Sequence, residues 1–109
     1  KTGMTNSNAE QSHGLASLMT ERQFQDAVIE LAKLRGWRVY HVPDSRRCEA
    51  GWPDLTLWRP PRFVLAELKT DKGRLSPIQE QTLAELRDCE LEVYLWRPNI
   101  WTLIEKVLQ

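Results

Sequence analysis

Two runs with the composition of β-strands, Asp-Leu-Thr-Leu-Trp-Arg (54–59) and Phe-Val-Leu-Ala-Glu-Leu-Lys (63–69), stand on either side of Pro60-Pro61. Prolines end ladders and favour turns, so Arg59-Pro60-Pro61-Arg62 is the turn of a hairpin. Symmetric pairing about the diproline sets Asp54 opposite Glu67. Lys69, two residues further on, shares the face of Glu67 because side chains alternate along a strand. A slip of one residue would undo this juxtaposition.

Directly opposed like charges destabilise a strand pair. Two carboxylates ~5 Å apart at an effective dielectric near 20 repel by roughly 3 kcal/mol. A divalent cation between them would turn that repulsion into attraction, and hard ions with oxygen ligands, Mg²⁺ or Mn²⁺, suit a carboxylate pair. Without a metal, Asp54 is a turn residue at a strand start, and Glu67 and Lys69 belong to a solvated strand face.

The chain's 109 residues suffice for one small domain, and 41% apolar content allows a thin core that dimerisation would supplement. Net charge is zero, with fifteen residues of each sign, but the charges are unevenly placed. Ten Lys or Arg fall between Lys33 and Arg74, against five Asp or Glu. A basic centre around an acidic pair suits a polyanionic substrate; otherwise these arginines are solvated surface. Arg46, Arg47, Lys72 and Arg74, in loops flanking the pair, are the candidates for phosphate contact, and Trp52, beside Pro53-Asp54, for stacking on an unpaired base. No apolar run is long enough to span a membrane and no secretory signal pattern opens the chain. Cys48 and Cys89 are isolated and form no metal-type pair, which is the usage of an intracellular protein.

Residues 1–18 are polar and lack periodicity, so a flexible tail is expected before a single domain over 19–109. Thr20 and Gln23 form a capping box ahead of an apolar stripe, Phe24, Val28, Leu31 and Ala32, and Gly36 ends that helix. Trp37–Val42 is a first strand, and the hairpin follows a loop from Pro43 to Trp52. Ser76-Pro77-Ile78-Gln79 is a helix start with Ser as N-cap and Pro at the first helical position. Glu92–Trp96 is a fourth strand, and Asn99 is expected to cap a last helix reaching Leu108. The order helix-strand-strand-strand-helix-strand-helix makes an α/β plan with one small sheet covered by helices.

This order and four segments resemble the PD-(D/E)xK nuclease superfamily and, more narrowly, its VRR-NUC domain. The segments are Thr20-Glu21-Arg22-Gln23-Phe24-Gln25, Gly51-Trp52-Pro53-Asp54-Leu55, Ala66-Glu67-Leu68-Lys69-Thr70 and Gly73-Arg74-Leu75-Ser76-Pro77-Ile78-Gln79. The chain looks like the stand-alone form of phages and bacteria that is similar to Holliday-junction resolvases. The resemblance implies a restriction-endonuclease-like mixed sheet flanked by helices and an endodeoxyribonuclease dependent on Mg²⁺ or Mn²⁺. It further implies that Asp54, Glu67 and the Leu68 backbone carbonyl hold the metal, with Glu21 contributing directly or through water. Lys69 would orient or deprotonate the attacking water, and Gln79 would sit beside the cluster. Glu21 is otherwise a first-turn acid favoured by the helix dipole, and Gln79 the partner of Ser76.

A small domain has little room for base readout, so selection of DNA structure over sequence is expected, in its sharpest form a four-way (Holliday) junction cut by a homodimer. A flap or single-strand repair nuclease, a module that holds branched DNA without cutting, and a metal-free interaction domain are the alternatives. His41 on the first strand and His13 in the tail are expected to have no part in the chemistry. Trp58, Trp96 and Trp101 are expected to pack, and Trp37 to serve core or interface.

Overall fold

The computed structural model describes residues 18–43 and 49–109. The expected tail, apart from Leu18, and the loop arginines Arg46 and Arg47 lie outside the described residues. The elements are α1 (Glu21–Leu34), β1 (Arg38–His41), β2 (Leu55–Arg59), β3 (Arg62–Leu68), α2 (Pro77–Asp88), β4 (Glu92–Trp96), a 3₁₀ turn (Pro98–Ile100) and α3 (Trp101–Val107).

Both expected capping boxes form. The Thr20 hydroxyl accepts from the Gln23 N–H at 3.1 Å while the Gln23 side chain accepts from the Thr20 N–H at 3.0 Å. Ser76 and Gln79 repeat the arrangement at the head of α2. Each box satisfies two of the N–H groups that a helix start leaves free. Helix α1 ends where Gly36 takes φ +85°, a conformation that costs glycine little, and the Trp37 N–H returns to the Ala32 carbonyl at 3.0 Å.

The sheet order is β1-β2-β3-β4, antiparallel except for the β3–β4 pair. Leu55 pairs with Ala66, Leu57 with Val64 and Arg59 with Arg62, so the register is centred on Pro60-Pro61 as the sequence predicts. Strand β3 lies between β2 and β4, and Val64 to Leu68 are all buried. On one face, Leu55, Leu57, Val64, Ala66 and Leu68 pack against Phe24, Val28 and Ala32 of α1 and against Ile104 and Leu108 at the far end of the chain. The opposite face is covered less: Leu65 and Val93 meet Leu83 of α2. Glu67, two residues from Leu65, shares that second face.

Two expectations change. Asn99 caps no helix: Pro98 opens the 3₁₀ turn, α3 begins at Trp101, and Ile100 stands at its N-cap without a side-chain bond. The Asn99 N–H instead donates to Asp71 Oδ1 at 3.0 Å. Three of the ten basic residues of the central stretch are also not free for a polyanion. Arg62 Nη1 donates to the Val107 carbonyl at 2.7 Å, Arg59 Nη2 to the Gln109 carbonyl at 2.7 Å, and Arg35 Nη1 to the Glu105 carbonyl. Arg59 and Arg62 also lie over the Trp37 ring, 4.7 and 5.0 Å from its centroid, and Trp37 Nε1 donates to the Leu108 carbonyl at 2.9 Å. Cations and donors are favoured at the end of a helix, where carbonyls lack intrahelical partners. Trp37 is therefore a core residue. Trp96 is buried, Trp101 packs edge-on against Phe24, and Trp58 is half-buried.

Candidate active site

Asp54 precedes β2 by one residue, and its carbonyl accepts from the Val42 N–H at 3.1 Å, which carries the β1–β2 pairing one step further. Continuing the β2–β3 register by that step sets Asp54 across from Glu67. The Asp54 Oδ2 accepts from the Leu68 N–H at 2.8 Å, so the backbone end of β3 fixes this carboxylate. Lys69 is fixed in turn, because its N–H donates to the Trp96 carbonyl at 3.0 Å and so continues the β3–β4 ladder.

Glu67 is the anomaly of the fold. Its residue surface is 1% exposed, and it is the buried charged residue among the described ones. Oε2 accepts from Gln79 Nε2 at 3.2 Å and lies 3.5 Å from Lys69 Nζ. Oε1 is buried and meets no donor. A buried carboxylate oxygen without a partner is costly, and burial favours the neutral form. Burial, and next the charge of Asp54, push the Glu67 carboxyl up to about 8, with Lys69 pulling the other way. The pocket thus lacks positive charge for two carboxylates, and one ammonium does not supply it.

Gln79 bonds in two directions. Its Oε1 accepts from the Ser76 N–H at 2.9 Å within the capping box, and its Nε2 serves Glu67. The helix start therefore orients the amide that holds the buried acid. Gly51 seats the loop before Asp54 onto the same helix. It takes φ +88°, and a Cβ there would stand 2.8 Å from the Ile78 carbonyl oxygen and 2.6 Å from Thr82 Oγ1.

Glu21 is exposed at the head of α1, and among the described residues no group of three or more His, Cys, Asp or Glu gathers to hold a metal. The acids brought together are Asp54 and Glu67. His41 pairs with Leu55, which places it on the face away from Glu67. Trp52 is 41% exposed beside buried Pro53, and Lys72 and Arg74 are exposed in the loop between Lys69 and Ser76.

Arg97 was given no role by the sequence pattern. Its Nη1 donates to the Thr70 carbonyl at 2.7 Å and to the Gly73 carbonyl. Together with the Asp71–Asn99 bond it pins the loop that leaves Lys69 and carries Lys72 and Arg74. The partners are more than twenty residues apart in sequence, and no local motif marks them.

A family profile described as the VRR-NUC domain matches residues 6–98. The chain belongs to the VRR-NUC domain family. The fold agrees: a solved VRR_NUC domain superposes with a TM-score of 0.66 at 20% identity, covering 81% of this chain and 92% of the other. A second solved structure, a VRR_NUC domain protein, gives 0.64 at 20% identity, covering 84% and 91%. The Holliday junction resolvase Hjc of the archaeal hyperthermophile Archaeoglobus fulgidus matches at a TM-score of 0.48 and 24% identity, covering 68% and 64%. No curated protein sequence matches the chain. As a VRR-NUC domain the chain is a nuclease with a mixed sheet flanked by helices. No helix among the described residues is long and apolar enough to cross a membrane.

Proposed function

We propose that this VRR-NUC domain is a metal-dependent, structure-selective DNA endonuclease whose chemistry is centred on Asp54, Glu67 and Lys69. The observation that carries this reading is the buried, unpartnered Glu67 Oε1 beside a second carboxylate. Such a pair fits a hard divalent ion, and Asp54, Glu67 and the Leu68 carbonyl would hold Mg²⁺ or Mn²⁺. When bound, such an ion lowers the pKa of water and neutralises phosphate charge.

The protein's own groups supply the rest. Lys69, anchored through its backbone and 3.5 Å from Glu67, orients or deprotonates the attacking water and steadies charge on phosphorus. Gln79 keeps Glu67 in place. Lys72 and Arg74 hold flanking phosphates, with Arg46 and Arg47 as further candidates from the sequence, and Trp52 stacks on a base. In the sharpest form of the proposal the substrate is a four-way junction, whose near two-fold symmetry matches a homodimer with one site for each of two strands. A flap or single-stranded substrate is the second reading, favoured by an open aromatic face next to the site.

The test is cleavage of labelled four-way junction, flap, single strand and duplex with Mg²⁺ or Mn²⁺ and with chelator, by wild type and by Asp54→Ala, Glu67→Ala and Lys69→Ala. Metal-dependent cutting of branched DNA, lost in all three variants, is expected. Cutting that survives the three substitutions refutes the assignment, and binding of branched DNA without cutting would make the chain a holding module.

A further inference from the structure

The sheet face that carries Asp54 and Glu67 does not end at the catalytic pair. Side-chain alternation places Thr56 and Trp58 of β2 on that face, opposite Leu65 and Phe63 of β3. Register with β1 adds Tyr40 beside Thr56 and Arg38 beside Trp58. Helix α2 shelters Leu65 and Val93. Among the described residues the remainder is open: Tyr40 is 53% and Phe63 43% exposed. Thr56, Trp58, Pro60, Pro61, Arg62 and Phe63 line a shallow groove there, of about 500 Å³. Arg38 is exposed, with its guanidinium 5.8 Å from the centroid of the Trp58 ring.

We infer that this face is a stacking shelf for unpaired nucleotides of the DNA strand that leaves the catalytic centre. The inference rests on the nuclease reading and deepens its second form: a flap or other DNA with a single-stranded segment next to the scissile phosphate. Three observations select nucleic acid over protein as the occupant. The shelf continues the face of the catalytic pair along β2 and β3 and onto β1. Trp58 and Phe63 stand four residues along their strands from Asp54 and Glu67, about 13 Å at the rise of a β-strand, within reach of a few nucleotides. Exposed aromatic rings beside an exposed guanidinium suit bases and phosphates together, because every base offers a π-face and Arg answers the phosphate. A protein seated on the shelf would obstruct the path by which a strand reaches the carboxylates.

The shelf is tested by fluorescence anisotropy on the full chain, in chelator to prevent cleavage. The probes are a duplex bearing a single-stranded thymidine tail and the same duplex with blunt ends. Phe63→Ala, Tyr40→Ala and Arg38→Gln should each weaken binding of the tailed duplex, the two aromatic variants by roughly 5- to 150-fold for the stacked base lost. Affinity for the blunt duplex, which offers no unpaired base to stack, should change far less. Tyr40 and Arg38 are exposed on an edge strand, so their variants keep the test decisive should Phe63→Ala fail to fold. Unchanged affinity for the tail in Tyr40→Ala and Arg38→Gln overturns the inference. So does a change from dimer to monomer by sedimentation with tail binding intact, which would assign the face to a second copy of the chain. Asp54→Ala separates the two readings: it should keep tail binding and lose cleavage, and if it still cleaves, the catalytic assignment fails while the shelf stands.

Discussion

Glu67→Gln should stabilise the metal-free protein at neutral and alkaline pH, the opposite of what deleting a buried, bonded acid ordinarily does. The Glu67 carboxyl rises from 4.5 to about 8 on folding. Between those values the folded state keeps a proton that the unfolded state has released, so stability is full below about pH 4.5 and falls as pH rises. The slope is about 1.4 kcal/mol per pH unit, which sets a ceiling of roughly 5 kcal/mol over the whole interval. A cost of that order is a large part of the total stability of a small domain. Glutamine has no charge to desolvate, and its amide oxygen still faces Gln79 and Lys69. Thermal melts in chelator from about pH 5 to about pH 8 decide the matter. Wild type should lose several degrees per pH unit, at about 4–8 °C for each kcal/mol in a domain of this size, while Glu67→Gln should lose far less. Mn²⁺ should restore wild type at the alkaline end and leave the variant unmoved. Parallel pH profiles, or a variant that melts lower than wild type near pH 8, would refute the reasoning.

Further outcomes concern the mounts of the site. Gly51→Ala meets the Ile78 carbonyl and a positive φ together, and urea unfolding should show a loss of about 1–3 kcal/mol. Arg97→Met leaves the Thr70 and Gly73 carbonyls without their donor. Amide exchange at Gly73 should speed up and kcat should fall more than melting temperature predicts, with partial recovery in Arg97→Lys. Arg62→Ala removes the donor to Val107 and the bond of Arg62 Nη2 to Glu92 Oε1 at 2.7 Å. It should lower stability without reducing metal affinity, as titration calorimetry would show.

What was legible beforehand was local. A capping box needs only two side chains three residues apart, and Thr20/Gln23 and Ser76/Gln79 both form. The diproline set the hairpin register because a two-residue turn leaves the pairing no freedom, and with it came the approach of Asp54, Glu67 and Lys69. Burial of Glu67 was not legible. It depends on β3 lying between β2 and β4 and on α2 closing over one face, which are properties of the assembled sheet. Asn99 misled because a cap residue at the start of an apolar stripe is a helix signal, yet Pro98 began a 3₁₀ turn first. Arg35, Arg59 and Arg62 counted as basic surface in the sequence, and only the docking of α3 shows that they serve backbone oxygens at its end and just beyond it, those of Glu105, Val107 and Gln109. Arg97 left no trace for the same reason: its partners are carbonyls, which every residue carries.

Anomalous diffraction from a crystal soaked in Mn²⁺ bears most directly on the role given to the acidic pair. A peak within about 2.0–2.3 Å of both an Asp54 oxygen and Glu67 Oε1, the span of hard-ion bonds to oxygen, is the predicted result. Well-ordered carboxylates with no peak between them would contradict it.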